Sequence, residues 1–123
     1  MNNINLNAKE LYEKVEQNGL TQTLYSVFDR NAKITIPMSE YLYNTDLTEL
    51  NFSLREFNIL KRRNLSKLGE IVDMLENGYH PCVHNLNRIN SSKIKTIILE
   101  YCYNQLSKNE KIAFFQEVIN NNR

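Results

Sequence analysis

Six basic and amide side chains lie close together in the middle of the sequence and form its most distinctive chemical group. They are Arg55, Asn58, Lys61, Arg62, Arg63 and Lys67. Guanidinium, ammonium and amide groups donate hydrogen bonds, which suits them to phosphate oxygens. With Lys93 and Lys95 they could hold the backbone of a nucleic-acid duplex. The alternative is a solvated helix face on which Glu56, Glu70 and Asp73 lie beside the cations.

A second group that could do chemistry is His80-Pro81-Cys82-Val83-His84. Alternate residues of an extended segment point to the same side, so two imidazoles and a thiolate could converge on a metal ion. The spacing is not one of the usual zinc patterns, and only Cys102 could serve as a fourth ligand. We therefore expect no metal site here, but a loop that packs on the core through Cys82.

Two short helices have to position the basic group. A serine oxygen just before an apolar period caps the first turn, so Ser53 predicts a helix over 54–63. Asn64 can adopt the left-handed conformation that ends such a helix. Residues at helical spacing predict its apolar face. They are Leu54, Phe57 and Leu60.

A second helix follows almost at once. Ser66 is its predicted cap, and apolar residues at helical spacing predict its buried stripe. They are Leu68, Ile71, Val72 and Leu75. A link this short brings the two helices together at a steep angle, as in helix-hairpin-helix units.

The residues of this stretch resemble a known family. The resemblance rests on three runs of residues. They are Glu49-Leu50-Asn51-Phe52-Ser53-Leu54-Arg55, then Asn58-Ile59-Leu60-Lys61-Arg62, then Leu68-Gly69-Glu70-Ile71. They are similar to the C-terminal domain of the bacterial RNA polymerase alpha subunit. That family reads L-x-L-S-x-R-x-x-N-x-L-K-R, a short turn, and a helix with (I/V/L)-G-(E/D)-L. The resemblance covers residues 47–106 and is strongest over 50–71.

The resemblance implies a compact all-α fold and a DNA-binding surface. In the family the arginine and asparagine line the DNA minor groove and the lysine lies near the backbone, which implies these roles for Arg55, Asn58 and Lys61. Arg62 belongs to the same basic run.

A second DNA-contacting element is implied by the weaker half of the resemblance. The family's N-x-G-x-K-S turn corresponds to residues 88–94, with Asn90 at the glycine position, Ser92 at the lysine position and Lys93 one residue later. Asparagine can also adopt the left-handed conformation. We expect the last family-like helix to start near Ser91 or Ser92. These serines could open an anion-binding helix N-terminus or act as plain caps.

Composition limits the class of protein. The chain has 123 residues, 41% of them hydrophobic, and a net charge of +1. This is enough for one small domain with extensions, but it is not the strongly basic signature of a general nucleic-acid binder. Two cysteines without a pairing pattern indicate a reducing compartment. No apolar run approaches a membrane span, so we expect a soluble, cytoplasmic protein without membrane association.

The flanking segments predict more helices. A capping box at Asn7 to Glu10 opens a first helix that stops at Gly19, and a second helix covers 20–29. Alternation over 32–38, with Pro37, predicts a short extended segment. Ser107 opens a C-terminal helix over 108–119. The predicted parts are an N-terminal extension (1–45), an alpha-C-terminal-domain-like domain (46–106) and a C-terminal helix packed on it (107–123).

The sequence lacks the motifs of the common enzyme classes. We find no catalytic set, no glycine-rich phosphate loop and no cofactor motif, so we expect no enzyme and no cofactor. The leading hypothesis is a small transcription-associated protein that contacts the backbone and A·T-rich minor groove of double-stranded DNA. The alternative is a protein-interaction module that has lost DNA binding. It would bind RNA polymerase or a transcription factor, or form a homodimer through residues 32–38.

Overall fold

The computed structural model describes residues 6–28, 33–77 and 88–122. Over these ranges the protein forms seven α-helices and one short 3-10 helix. They are α1 (Ala8–Asn18), α2 (Leu20–Phe28), α3 (Glu40–Tyr43), the 3-10 helix Leu47–Glu49, α4 (Leu54–Arg62), α5 (Leu68–Asn77), α6 (Arg88–Asn104) and α7 (Lys108–Asn121). The all-α prediction is confirmed. Residues 33–39 lack regular structure, and the described residues contain no strand.

The molecule groups into two compact units. One comprises Met1–Thr35 together with Tyr103–Arg123, and the other comprises Ile36–Cys102. We call them the terminal unit and the central unit. These groupings follow compactness alone, and the division proposed above at residues 45 and 106 stays a prediction.

The terminal unit is built around α1, which packs against both α2 and α7. The predicted capping box opens α1: the Asn7 side chain accepts from the Glu10 amide, and the Glu10 carboxylate accepts from the Asn7 amide. Gly19 ends the helix with a φ of 93°, a conformation that glycine adopts without steric cost. Leu11 and Leu24 are buried in this unit. The predicted capping box of α1 and its end at Gly19 are therefore confirmed.

Three aromatic rings, from the end of α6 and from α7, form a cluster in the terminal unit. The ring of Tyr103 lies 5.9 Å from that of Phe114 and 5.5 Å from that of Phe115, in tilted or edge-on arrangements. The ammonium of Lys111 covers the Tyr103 ring at 4.9 Å. Burial raises the pKa of the Tyr103 hydroxyl above its usual range.

The central unit depends on a close approach between α3 and α5. A Cβ atom added at Gly69 would overlap the ring of Tyr43, so only glycine leaves room for this ring. The Tyr43 hydroxyl donates to Asp73 one turn further along α5, at 3.1 Å, and this bond raises the pKa of the tyrosine. Gly69 and Asp73 thus fix Tyr43 along one face of α5.

The link between α4 and α5 is bonded to the segment that follows α3. The Leu47 amide donates to the Ser66 carbonyl at 3.0 Å, and the Leu68 amide donates to the Thr45 carbonyl at 2.8 Å. These two bonds form the antiparallel bridge between Asp46 and Lys67. We call this contact the backbone bridge. The backbone bridge fixes the position of the link, and therefore of the C-terminal end of α4 and the N-terminal end of α5.

Two helix starts differ from prediction. Helix α5 begins at Leu68, and Ser66 does not cap it by accepting a bond: its amide and hydroxyl both donate to the Glu70 carboxylate. Helix α6 begins at Arg88, so Ser91 and Ser92 lie inside it rather than at its start. The prediction that α6 starts near Ser91 or Ser92 was wrong, because an isolated Ser-Ser pair does not show whether the preceding residues are already helical.

A double-mutant cycle tests the packing of Gly69 under Tyr43. We expect Gly69→Ala to lower the free energy of unfolding by about 1 kcal/mol, because overpacking outweighs the gain in helix propensity. In a Tyr43→Ala background the same change should stabilise the protein by about 1 kcal/mol, since the ring is gone. Urea denaturation of the four proteins measures both. Equal effects in the two backgrounds would contradict the contact.

Candidate nucleic-acid interface

The N-terminal end of α4 is fixed by a reciprocal cap. The Ser53 hydroxyl accepts from the Glu56 amide at 3.2 Å, and the Glu56 carboxylate accepts from the Ser53 amide at 2.9 Å. Glu56 is only 7% exposed. The predicted Ser53 cap is confirmed; the reciprocal bond from its acidic partner, Glu56, was not predicted, because this residue was assigned to the solvated face. Because Glu56 is bonded inward, it does not lie on the exposed face of the helix.

The C-terminal end of α4 is closed by a Schellman turn. Asn64 adopts a φ of 59°, as predicted, and its amide donates to the Lys61 carbonyl at 3.0 Å. The next amide, that of Leu65, donates back to the Leu60 carbonyl at 3.1 Å. Leu60 and Leu65 are both buried, which is the hydrophobic contact typical of this motif. The helix is therefore held at both ends.

The exposed side chains of α4 form one continuous arc. Those between its caps are Leu54, Arg55, Asn58, Lys61 and Arg62. At 3.6 residues per turn they fall within about 120° around the helix axis. Among the residues that the structure describes, the side chains of Arg55, Asn58 and Arg62 have no hydrogen-bond or ion-pair partner. We call Arg55, Asn58, Lys61 and Arg62 the basic arc.

Lys61 lies at one edge of the arc and has neighbours of its own. Its ammonium lies 5.8 Å from the centroid of the Phe57 ring. The pKa of Asp46 is lowered, mainly because this carboxylate accepts from the amide and hydroxyl of Thr48 and to a lesser degree because Lys61 is near. The charge of Lys61 is thus partly balanced within the protein, unlike those of Arg55 and Arg62.

Leu54 corrects the prediction of the apolar face. It was assigned to the buried side of α4 with Phe57 and Leu60, but it is 76% exposed, whereas Leu60 is fully buried. Leu54 lies only about 40° from Asn58 and about 20° from Lys61 around the axis, so it belongs to the exposed arc. The inward side of the helix is completed instead by Glu56, whose charge concealed this role in the sequence.

The second predicted element is positioned on α6. Lys93 is exposed on this helix, in the same compact unit as the basic arc. Asn90 and Ser92 lie within its first two turns, and their side chains lie outside the described part of the structure. Asn90 is helical and does not adopt the expected left-handed conformation. The roles of Asn90, Ser92 and Lys93 toward DNA stay predictions.

The turn that follows α4 is organised by Glu70. Its carboxylate accepts from the amide of Lys67 at 2.9 Å and from the amide of Ser66 at 3.2 Å. These bonds lower the pKa of Glu70, with the Lys67 bond contributing most. A carboxylate in the first turn of α5 also interacts favourably with the helix dipole. The same group therefore supports both the start of α5 and the backbone bridge.

The candidate metal-binding segment and the cysteines add no functional site among the described residues. The His80 to His84 segment and Cys82 lie outside the described residues, and within the described ranges no group of three His, Cys, Asp or Glu residues could hold a metal ion. Burial raises the pKa of the free Cys102 thiol to about 12, so this thiol is unreactive in the folded state. No helix in the described part of the protein is long and apolar enough to span a membrane.

The segment that carries the basic arc is similar to a known family of domains. It exposes cations and amides from one capped helix. Residues 35–79 match the family model of the C-terminal domain of the alpha subunit of bacterial RNA polymerase. The resemblance inferred from the sequence is confirmed over this segment, which is thereby similar to a transcription-related domain of DNA-binding type. Searches of curated proteins and of solved structures found no match.

The extent of the match separates the site residues into two groups. Arg55, Asn58, Lys61 and Arg62 fall inside the matched segment, whereas Asn90, Ser92 and Lys93 fall outside it. The match also begins well before residue 47, and includes α3. Sequence reasoning did not assign α3 to this part because the signal for it, a glycine at position 69 that accommodates Tyr43, is a contact between distant positions.

Replacing Asn64 tests whether the Schellman turn closes α4. We expect Asn64→Ala to lower the free energy of unfolding by about 1 kcal/mol, because alanine is strained at positive φ. Asn64→Gly should leave it unchanged or raise it slightly, since glycine adopts this conformation freely. Urea denaturation distinguishes them. An alanine variant as stable as the glycine variant would exclude the left-handed turn.

Acid titration tests the role of Glu70. Its pKa in the folded state lies below the ordinary glutamate value of 4.5, so its contribution to stability is present above about pH 4.5 and is lost as pH falls through the folded pKa. We expect the free energy of unfolding to decrease below that pH, and Glu70→Gln to reduce the decrease. Urea denaturation between pH 3 and 7 is the measurement. Glu117→Gln, at an exposed position of α7, is the matched control and should leave the slope unchanged.

Proposed function

We propose that this protein binds double-stranded DNA in a transcription-associated role and that the basic arc of α4 forms the contact. The observation that supports this most is the set of unpartnered side chains on one rigid helix. Arg55, Asn58 and Arg62 are exposed and have no partner among the described residues, although each offers several donors. The family match over residues 35–79 supports the same interpretation.

The binding energy in this proposal is local and electrostatic. A net charge of +1 provides little long-range attraction, so affinity has to come from contacts between individual cations and phosphates. Arg55 and Arg62 are seven residues apart on α4 and lie on the same side, about 10 Å apart along the axis. This separation allows Arg62 to contact a phosphate of the same duplex whose minor groove Arg55 enters.

Arg55 and Asn58 supply the part of the contact that is not purely ionic. A planar guanidinium with little neighbouring charge fits a narrow minor groove, whose negative potential is strongest in A·T-rich tracts. Asn58 lies one turn along the helix and adds both a donor and an acceptor for base edges or sugars. We therefore expect a preference for A·T-rich duplexes. Lys93, with Asn90 and Ser92, would add backbone contacts from α6.

A protein-interaction module is the second candidate. The observation that favours it is Tyr41 on α3, which is 76% exposed and lies within the segment that matches the family. Exposed tyrosines are common at protein interfaces because the ring is apolar and the hydroxyl can bond to a partner. In this alternative the partner would be RNA polymerase or a transcription factor. Homodimerisation through residues 32–38 belongs to the same class of function.

Fluorescence anisotropy with a labelled A·T-rich duplex tests the DNA proposal. We expect micromolar or tighter binding at low salt, with log affinity falling linearly against log salt concentration. Arg55→Ala and Arg62→Ala should each weaken binding by about tenfold and each reduce the salt slope by about 0.9, the value for one lost phosphate contact. Asn58→Ala should weaken binding without changing the slope, because asparagine carries no charge.

The matched control is Lys9→Ala. Lys9 is an exposed cation on α1, outside the family match and in the other compact unit. Its removal changes net charge as Arg55→Ala does, so it should leave affinity nearly unchanged. Equal effects of the two substitutions would mean that net charge rather than the basic arc controls binding. Absence of binding at low salt would exclude the proposed function and favour the protein-partner candidate, which Tyr41→Ala then tests.

A further inference from the structure

An exposed leucine lies on the same side of α4 as the basic arc. Leu54 is the first residue of α4 and is 76% exposed, and the other exposed residues of this helix are all charged or carry an amide. An apolar group in this position contributes little to folding, because most of its surface stays in water. The helix does not need leucine here, since alanine has at least an equal helix propensity.

The geometry places Leu54 in line with polar members of the arc. Asn58 lies four residues later and Lys61 seven residues later, so the three side chains form one row along the helix. Arg55 and Arg62 form a parallel row beside it. A ligand that contacts the arc along its length therefore contacts Leu54 as well. It has to offer an apolar surface next to its anionic groups.

A DNA duplex offers such a surface in its minor groove. Phosphates border the groove, and the deoxyribose rings that line its walls present carbon-bound hydrogens between the phosphates and the base edges. A leucine side chain inserted beside a groove-lining arginine can bury apolar surface against these sugars. In RNA the corresponding sugars carry 2′-hydroxyl groups, and the minor groove is wide and shallow. The same leucine would lose most of this contact there.

We propose that Leu54 makes apolar contact with the deoxyribose wall of the minor groove and that this contact makes the site prefer DNA over RNA. The inference rests on the proposed function and adds a determinant of specificity that carries no charge. A protein partner fits Leu54 less well. Large contiguous apolar patches mark protein-interaction sites, whereas the exposed neighbours of Leu54 on α4 are Arg55, Asn58, Lys61 and Arg62.

The test compares Leu54→Ala with Leu54→Met. Both residues are strong helix formers and the position is exposed, so the fold should be retained in both variants. Anisotropy is measured with an A·T-rich DNA duplex across a salt series, and with the A·U RNA duplex of the same sequence. We expect Leu54→Ala to bind DNA about fivefold to tenfold more weakly at every salt concentration, because a lost apolar contact lowers affinity without changing the salt slope.

Leu54→Met keeps the apolar surface and should bind DNA within about twofold of the unaltered protein. The ratio of DNA affinity to RNA affinity should fall with alanine and be retained with methionine. If Arg55→Ala weakens DNA binding while Leu54→Ala does not, this inference is overturned and the proposed function stands; a protein contact for Leu54 is then the remaining interpretation. If the unaltered protein binds no duplex, both are overturned.

Discussion

The backbone bridge between the segment after α3 and the link after α4 is the constraint on which the central unit depends. It consists of two short hydrogen bonds, from Leu47 to Ser66 and from Leu68 to Thr45. Helix α4 has only nine residues and would be marginal in isolation. Its exposed arc can present side chains in fixed positions only because its N-terminal end is capped, its C-terminal end turns back through Asn64, and the next residues are bonded to the preceding segment. The candidate interface thus depends on these backbone bonds together with the apolar packing beneath α4, in which Leu60 and Leu65 are buried.

The features that the sequence predicted correctly are those determined by local interactions. Caps such as that of Ser53 and left-handed turns such as that at Asn64 depend on residues within one helical turn, and both are visible as short patterns. Periodicity was less reliable in so short a helix. It assigned Leu54 to the buried face, whereas the structure buries Glu56 there, because a carboxylate that accepts a backbone hydrogen bond can occupy an inward position. A single turn of sequence cannot distinguish these cases.

The remaining differences arise from contacts between distant positions. The packing of α1 on α7 joins the two ends of the sequence, and the seating of Tyr43 on Gly69 joins α3 to α5. Neither contact has a local signature. The sequence placed the four residues of the basic arc off the buried face of α4, because they lie on one helix, but it did not locate the start of α6. The exposure of the α4 residues was therefore predictable and the helical placement of Asn90 and Ser92 was not, and the roles of both groups toward DNA stay predictions.

The seating of Tyr43 on Gly69 has a consequence for how proteins of this kind can diverge. An aromatic ring at position 43 excludes every side chain at position 69, and the Tyr43 hydroxyl also bonds to Asp73. A larger residue at position 69 alone overlaps the Tyr43 ring, whereas a joint change at positions 43 and 69 can restore the packing. We therefore expect substitutions at these two positions to be coupled, whereas the exposed bond to Asp73 can be exchanged for bonds to water. The exposed residues of α4 have no such coupling, so single substitutions there can change binding specificity without changing the packing of the helix.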